Sequence, residues 1–417
     1  MERRNRQLGE SMSRDARVSV GLDPDPGSPF PVPPAQHYDV AALRRAEFPW
    51  AADTVYLDHA SIGPLPERTR QALVQMAERR ARPFEIRHAD QFGGLSRARE
   101  LAALLINADP GEIALATNTS FGLGLAARAL PFRPGDIVLV SDREFPANVY
   151  PWKRLDDRGV TLELVPTTPE GWPDEARLLQ RLEDPRVRCL AISLTQFASG
   201  YTADIGRFSQ VTRRRGQFLV VDAIQGLGQL PFDVRATPVD VLSSGGQKWL
   251  LSPWGSGFMY VRKDLIATLE PAIVSWMAFE GTDDFTTLCH YRDRLHSDAR
   301  RFELITLPFQ DFVAMNQSLE LLLSLGIPAI QRHLSALQQP LLEWAARRGV
   351  RVTSPQGARA SGILCLAPPR LEAAHRALRD ARIFCSLREG AIRISPHCYN
   401  TVEEMGRVVE ILQRAVT

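Results

Sequence analysis

At 417 residues the chain is well beyond the roughly 100–200 residues typical of one domain, so two packed domains are expected. Hydrophobic residues are 44% and charged residues 24% of the total, near average soluble usage, which excludes a wholly disordered, collagen-like or disulfide-scaffold chain. No window approaches the ~20 apolar residues of a membrane helix, and 50 basic against 48 acidic residues are too balanced for nucleic acid or an anionic membrane surface to be the main partner.

Residues 1–36 carry a run of prolines between Pro24 and Pro34 without helical or strand periodicity. They predict a disordered tail, with no apolar stretch of the secretory kind. An N-terminal segment over 37–62 holds a short strand at 55–57. From 63 to 305 strands and helices alternate. A helix runs to 82 and another over 97–106; strands at 113–116 and 137–140 flank a helix over 122–130. A helix near 150–158 and strands at 161–165, 189–194 and 218–222 follow. Near-continuous apolar strands between helices predict an α/β large domain over 63–305 with a buried, mostly parallel sheet. A helix over 309–325 then opens a smaller C-terminal α+β domain, 306–417, with strands at 362–366 and 391–394. The five cysteines (Cys189, Cys289, Cys365, Cys385, Cys398) are scattered and lack a C-x-x-C pair. They fit a reducing, cytoplasmic setting and argue against a metal site.

Of the 50 basic residues only Lys153, Lys248 and Lys263 are lysine. A lysine retained among so many arginines points to work that arginine cannot do, since only an amine deprotonates near neutral pH and attacks a carbonyl. The first glycine-rich turn is ambiguous. Gly122-x-Gly124-x-x-Ala127 follows a strand, and Asp142 comes 20 residues after Gly122, as in a dinucleotide-binding turn of an NAD-dependent dehydrogenase. Four polar residues, however, separate the strand from the glycines. The alternative has Thr119 and Ser120 capping a helix whose N-terminus faces a phosphate. An ordinary capped helix without a ligand is equally common.

A second segment decides between them. The strand at 218–222 ends in Asp222, and 26 residues later Lys248 stands between glycines and Trp249-Leu250-Leu251. Acidic groups at the carboxyl ends of parallel strands sit where open α/β sheets bind ligands. A lysine so placed, a carboxylate and a phosphate-facing helix together suit pyridoxal 5′-phosphate (PLP). The lysine forms the Schiff base, and the carboxylate keeps the pyridine nitrogen protonated so that the ring withdraws electrons. Lys153 and Lys263 lack such a setting.

Seven motifs stand in order along the chain: Tyr56-Leu57-Asp58-His59-Ala60, Thr117-Asn118-Thr119-Ser120, Glu144-Phe145-Pro146-Ala147-Asn148, Val221-Asp222-Ala223-Ile224-Gln225, Gly246-Gln247-Lys248-Trp249, Gly281-Thr282, and Arg393-Ile394-Ser395-Pro396-His397-Cys398-Tyr399-Asn400-Thr401. From about Tyr56 to Glu410 the sequence resembles a class V aminotransferase-family PLP enzyme of fold type I. It lies nearest the isopenicillin N epimerase-like and cysteine desulfurase-like branches. The resemblance implies that Lys248 and Asp222 are catalytic, with Gln225 and Gln196 near the ring hydroxyl and Phe145 stacked on the ring. Thr119, Ser120 and Gln247 would hold the phosphate, and Thr282 would reach it from the neighbouring subunit of a homodimer with shared active sites. Arg393 would clamp the substrate carboxylate, with His59 and Ala60 alongside.

Two positions depart from the family pattern: Gln247 stands where relatives place His, and Gly245 where they place Ser, with Ser243 and Ser244 the nearest replacements. No cysteine sits on a long loop before Arg393, as a desulfurase requires. The expected activity is removal of the Cα proton of a small amino-acid-type substrate, in an epimerase- or aminotransferase-like reaction, with β-eliminating C–S lyase chemistry as the alternative.

Overall fold

A computed structural model describes residues 37–416, so the tail expected over 1–36 lies outside the described residues. Strand β1 (Val55–Tyr56) is followed by β2 (Ile113–Leu115), β3 (Ile137–Ser141), β4 (Thr161–Val165), β5 (Val187–Ser193), β6 (Phe218–Asp222), β7 (Val241–Gly245) and β8 (Gly257–Val261). The last seven form one sheet in the order β2-β8-β7-β6-β5-β3-β4. Strands β3 to β7 pair in parallel, whereas β8 is antiparallel to both β7 and β2.

Strands β3, β6, β7 and β8 are buried at every position, which is why β3 and β6 read as nearly unbroken apolar runs. Successive side chains nonetheless go to opposite faces, as the period of two requires. Leu139, Leu190, Leu219, Val221 and Leu242 join the core on one face. Val138, Val140, Ala191, Val220 and Val241 join the core on the other. Edge strand β4 is largely exposed.

Helices differ from the sequence reading mainly at their ends. The helix expected over 97–106 begins earlier, at His88–Ile106, and that expected over 122–130 is Thr119–Ala129. The stretch near 150–158 is one α-turn, Tyr150–Lys153, continued as a 3-10 helix to Arg158. A strand ahead of Lys263 was expected and is β8, but β7 was not foreseen, because Ser243-Ser244-Gly245 reads as loop. The small residues are needed there: Ser243 donates to the Thr119 carbonyl at 3.1 Å, so the helix lies almost on the strand.

Helices Phe309–Leu325 and Ile327–Arg348 lead to the C-terminal strands β9 (Arg351–Val352), β10 (Leu364–Ala367), β11 (Ile383–Phe384), β12 (Ser386–Arg388) and β13 (Ala391–Ile394). The antiparallel order is β12-β13-β10-β9, while β11 pairs in parallel with β1. The N-terminal segment is thereby sewn to the C-terminal strands, with Asp58 bridging Ser395 and Arg44 ion-paired to Glu404. Among the described residues no single helix is long and apolar enough to cross a membrane.

Candidate functional site

The carboxyl ends of β3, β5, β6 and β7 deliver the chemistry. Asp222 closes β6 and is 2% exposed. It accepts a hydrogen bond from the Ile224 N–H at 3.1 Å. Burial pushes its pKa up to about 7, and the nearby carboxyl of Glu144 adds to the rise while Lys248 opposes it. Lys248 follows β7 on a turn held by Gly63, whose N–H donates to the Gln247 carbonyl at 2.8 Å. A β-carbon on Gly63 would collide with the Lys248 carbonyl, so glycine is what lets the two segments cross. The Lys248 amine is lowered to about 8, chiefly by desolvation with help from Arg393 and Arg388, against the pull of Asp222 and Asp58. Its Nζ stands 5.4 Å from the centre of the Phe145 ring. Phe145 is no core residue: its ring is 41% exposed and rests edge-on against Phe197.

Beyond Phe145 lies a cavity of about 750 Å³ whose wall includes Ser120, Tyr150 and Lys153. The helix Thr119–Ala129 opens beside it. Its cap is Asn118, whose Oδ1 accepts from the Phe121 N–H at 2.9 Å, and not Thr119 or Ser120 as the sequence suggested. The Thr119 hydroxyl instead accepts from the Gly245 N–H at 2.8 Å, while Ser120 is exposed at the first turn. Ser243 and Ser244, the expected replacements at the lysine loop, turn their hydroxyls to backbone carbonyls. Gln247 folds its amide over Gly245, in the space a side chain there would need. The two departures from the family pattern are thus complementary.

Several expected contacts are placed differently. Both polar ends of the Gln225 amide are engaged, by the Ala60 carbonyl at 2.9 Å and the Trp249 indole at 2.8 Å. Gln196 donates to Glu144 at 2.7 Å. Glu144, to which the sequence assigned no role, also accepts the Ser193 N–H at 2.8 Å and the Ser193 hydroxyl. His59 is fully buried; Nδ1 meets the Ser395 carbonyl at 2.7 Å and Nε2 the Tyr399 hydroxyl at 3.0 Å. With both nitrogens spent, His59 anchors the N-terminal segment and offers nothing polar to a substrate. Ala60 likewise uses its N–H on Ser395. Thr282 donates to the Phe279 carbonyl at 2.8 Å.

Arg393 on β13 is 2% exposed. Its guanidinium donates to the Phe197 carbonyl at 2.9 Å, Ser61 at 2.6 Å and Asp58 at 3.3 Å, while Nε finds no acceptor. That buried, unfilled donor beside Lys248 suits an incoming carboxylate.

The dehydrogenase alternative fails on topology. Gly122 and Gly124 lie inside a helix instead of at its strand–helix turn, and β2 is an edge strand antiparallel to β8, remote from β3. Adjacent parallel strands around the glycines, which a dinucleotide fold needs, are missing.

A mostly parallel sheet whose strand ends gather a desolvated lysine, a buried aspartate and a helix N-terminus defines a PLP-dependent enzyme of fold type I. The chain belongs to the class-V aminotransferase family, whose model matches residues 55–408. It is 30% identical to the uncharacterized aminotransferase YcbU of Bacillus subtilis over 75% of this chain and 81% of that protein. It is also 30% identical to isopenicillin N epimerase of Streptomyces clavuligerus, over 86% and 94% of the two chains. Among solved structures, a C-DES variant with glycine covalently linked to its PLP cofactor superposes with a TM-score of 0.79 at 20% identity, covering 88% of this chain and 98% of that one.

Proposed function

We propose that this PLP enzyme removes the Cα proton of a free amino acid, with Lys248 as both the cofactor-binding amine and the base. The observation that carries this reading is Lys248 itself, with its amine beside the Phe145 face and lowered to about 8 by its surroundings. An amine so placed is neutral in a useful fraction of molecules near pH 7, as attack on a carbonyl and proton removal both require.

The other residues fit the cofactor. Asp222, as the carboxylate, would hold a proton at the pyridine nitrogen, and that ion pair would offset the desolvation that raises its pKa in the cofactor-free fold. Phe145 would cover the ring, and the opening turn at Thr119 and Ser120 with Gln247 would hold the phosphate. PLP supplies the electron sink that lowers the barrier to Cα deprotonation. Arg393 orients the substrate through its carboxylate, using the unfilled Nε as one prong.

The thiols nearest Arg393 argue against a desulfurase route. Burial pushes Cys365 up to about 11 and Cys385 up to about 12, far from the thiolate such chemistry uses. Only Glu389 and Gly390 join β12 to β13, so no long loop carries a cysteine ahead of Arg393. C–S cleavage by β-elimination needs no protein thiol and shares the same first step. Exposed Ile273, Val274, Trp276, Phe285, Leu288 and Tyr291 flank Thr282 along the chain and support a homodimer.

Borohydride reduction of the PLP-loaded protein, followed by peptide mass mapping, should place the pyridoxyl label on Lys248. In D₂O, NMR should show the substrate Cα–H signal disappearing. A label on Lys153 or Lys263, or no exchange with any amino acid, would refute the assignment.

A further inference from the structure

The charges acting on the Lys248 amine include two arginines, Arg393 and Arg388, alongside Asp222 and Asp58. Two arginines converge on a single hydroxyl: Ser61 accepts from Arg393 at 2.6 Å and from Arg388 at 3.4 Å. Arg393 is paired with Asp58, which also accepts from Ser386 at 2.9 Å. Arg388 stands exposed at the end of β12, and its other hydrogen bond goes to the Leu387 carbonyl at 2.9 Å. Among the described residues no carboxylate is ion-paired with it. Through Ser61 the two guanidinium groups are neighbours, and both charges act on the Lys248 amine.

We propose that the substrate is an amino acid with an acidic side chain, its α-carboxylate taken by Arg393 and its second acidic group by Arg388. This rests on the reading of Lys248 as the amine of an amino-acid site. Arg393 is rigid and almost wholly buried, with Nε its one donor without a partner; it accommodates one planar carboxylate. Arg388 is exposed, has no ion pair among the described residues, and shares the Ser61 hydroxyl with Arg393, which sets its guanidinium next to the α-carboxylate site. A planar fork suits a carboxylate, and a close sulfur oxyacid offers similar oxygens. A neutral side chain would leave Arg388 uncompensated, and a hydrogen bond to a charged group carries roughly tenfold or more in discrimination.

The test uses the PLP-loaded protein and reads binding from the change in the cofactor's visible absorbance. L-Aspartate and L-glutamate are titrated against L-asparagine and L-glutamine, which match them in size. The acids should bind about tenfold or more tightly than the amides, and Arg388→Gln should bring that ratio close to one. Arg388→Lys should restore part of it. Equal affinity for acid and amide, or an acid preference that survives Arg388→Gln, overturns the assignment of Arg388 while leaving the amino-acid site intact. If no amino acid perturbs the band, the amino-acid reading falls and this inference with it.

Discussion

Arg393 and Asp222 show how much a single buried group controls. Arg393→Lys keeps a charge but loses the planar fork that spans Phe197 and Ser61 and that we propose for the substrate carboxylate. The loss in kcat/KM should be on the order of 10²-fold or more, for two charge-assisted hydrogen bonds. Near-normal kinetics would mean that the substrate carboxylate binds elsewhere. Asp222 makes a prediction about stability. Its pKa rises from an ordinary 3.8 to about 7 in the fold, chiefly through desolvation. Across that window the folded cofactor-free protein retains a proton that the unfolded chain has released, so Asp222 costs stability as pH rises toward 7. Lys248, lowered from 10.5 to about 8, acts in the alkaline range with the opposite slope: the unfolded chain holds the extra proton, and stability recovers as pH rises. Asp222→Asn should therefore gain Tm relative to the parent protein as pH goes from about 4 to about 7. A gap between the two melting curves that stays constant over that range contradicts the raised carboxyl.

At the scale of elements, the lysine turn depends on a crossing that admits no side chain. Gly63→Ala forces its methyl against the Lys248 carbonyl and the Leu251 side chain. Overpacking of this kind costs about 1–3 kcal/mol, and here it moves the reactive amine as well. Thermal melting should drop, and PLP affinity, followed by spectral titration, should fall more than stability alone explains. A variant with normal cofactor affinity would show that the turn tolerates displacement. The complementary Gln247 and Gly245 belong to the same turn, where side chain and vacant space exchange places. Glu144 is the corresponding support on the other flank, tying β5 through Ser193 to the loop that carries Phe145.

For the whole molecule the decisive question is whether two chains share a site. The exposed apolar side chains over 273–291 are what the proposed second copy would cover. Ile273→Asp places a charge in that surface, where Ile273 is 62% exposed in the single chain. Sedimentation should then show a shift from dimer to monomer, accompanied by weaker PLP retention if Thr282 reaches across. A parent protein that sediments as a monomer with full activity would remove the shared-site proposal.

Much of this architecture was legible in the residues themselves. Continuous apolar runs at β3, β5 and β6 announced a doubly covered parallel sheet, because only strands buried on both faces dispense with alternation. An aspartate ending one such strand and a rare lysine in a small-residue loop then identified the cofactor chemistry. Tertiary structure alone decided the rest. Strand β7 hides in small residues whose need appears only when the Thr119 helix is laid upon it. The fate of His59, which serves packing, and of Arg393, which arrives already paired, depends on partners such as Ser395 and Asp58 lying 336 and 335 residues away in the chain. Chain order and residue type determine which groups can act, but hydrogen-bond partners so distant in sequence are chosen by packing, and that choice settles which groups remain available to a ligand.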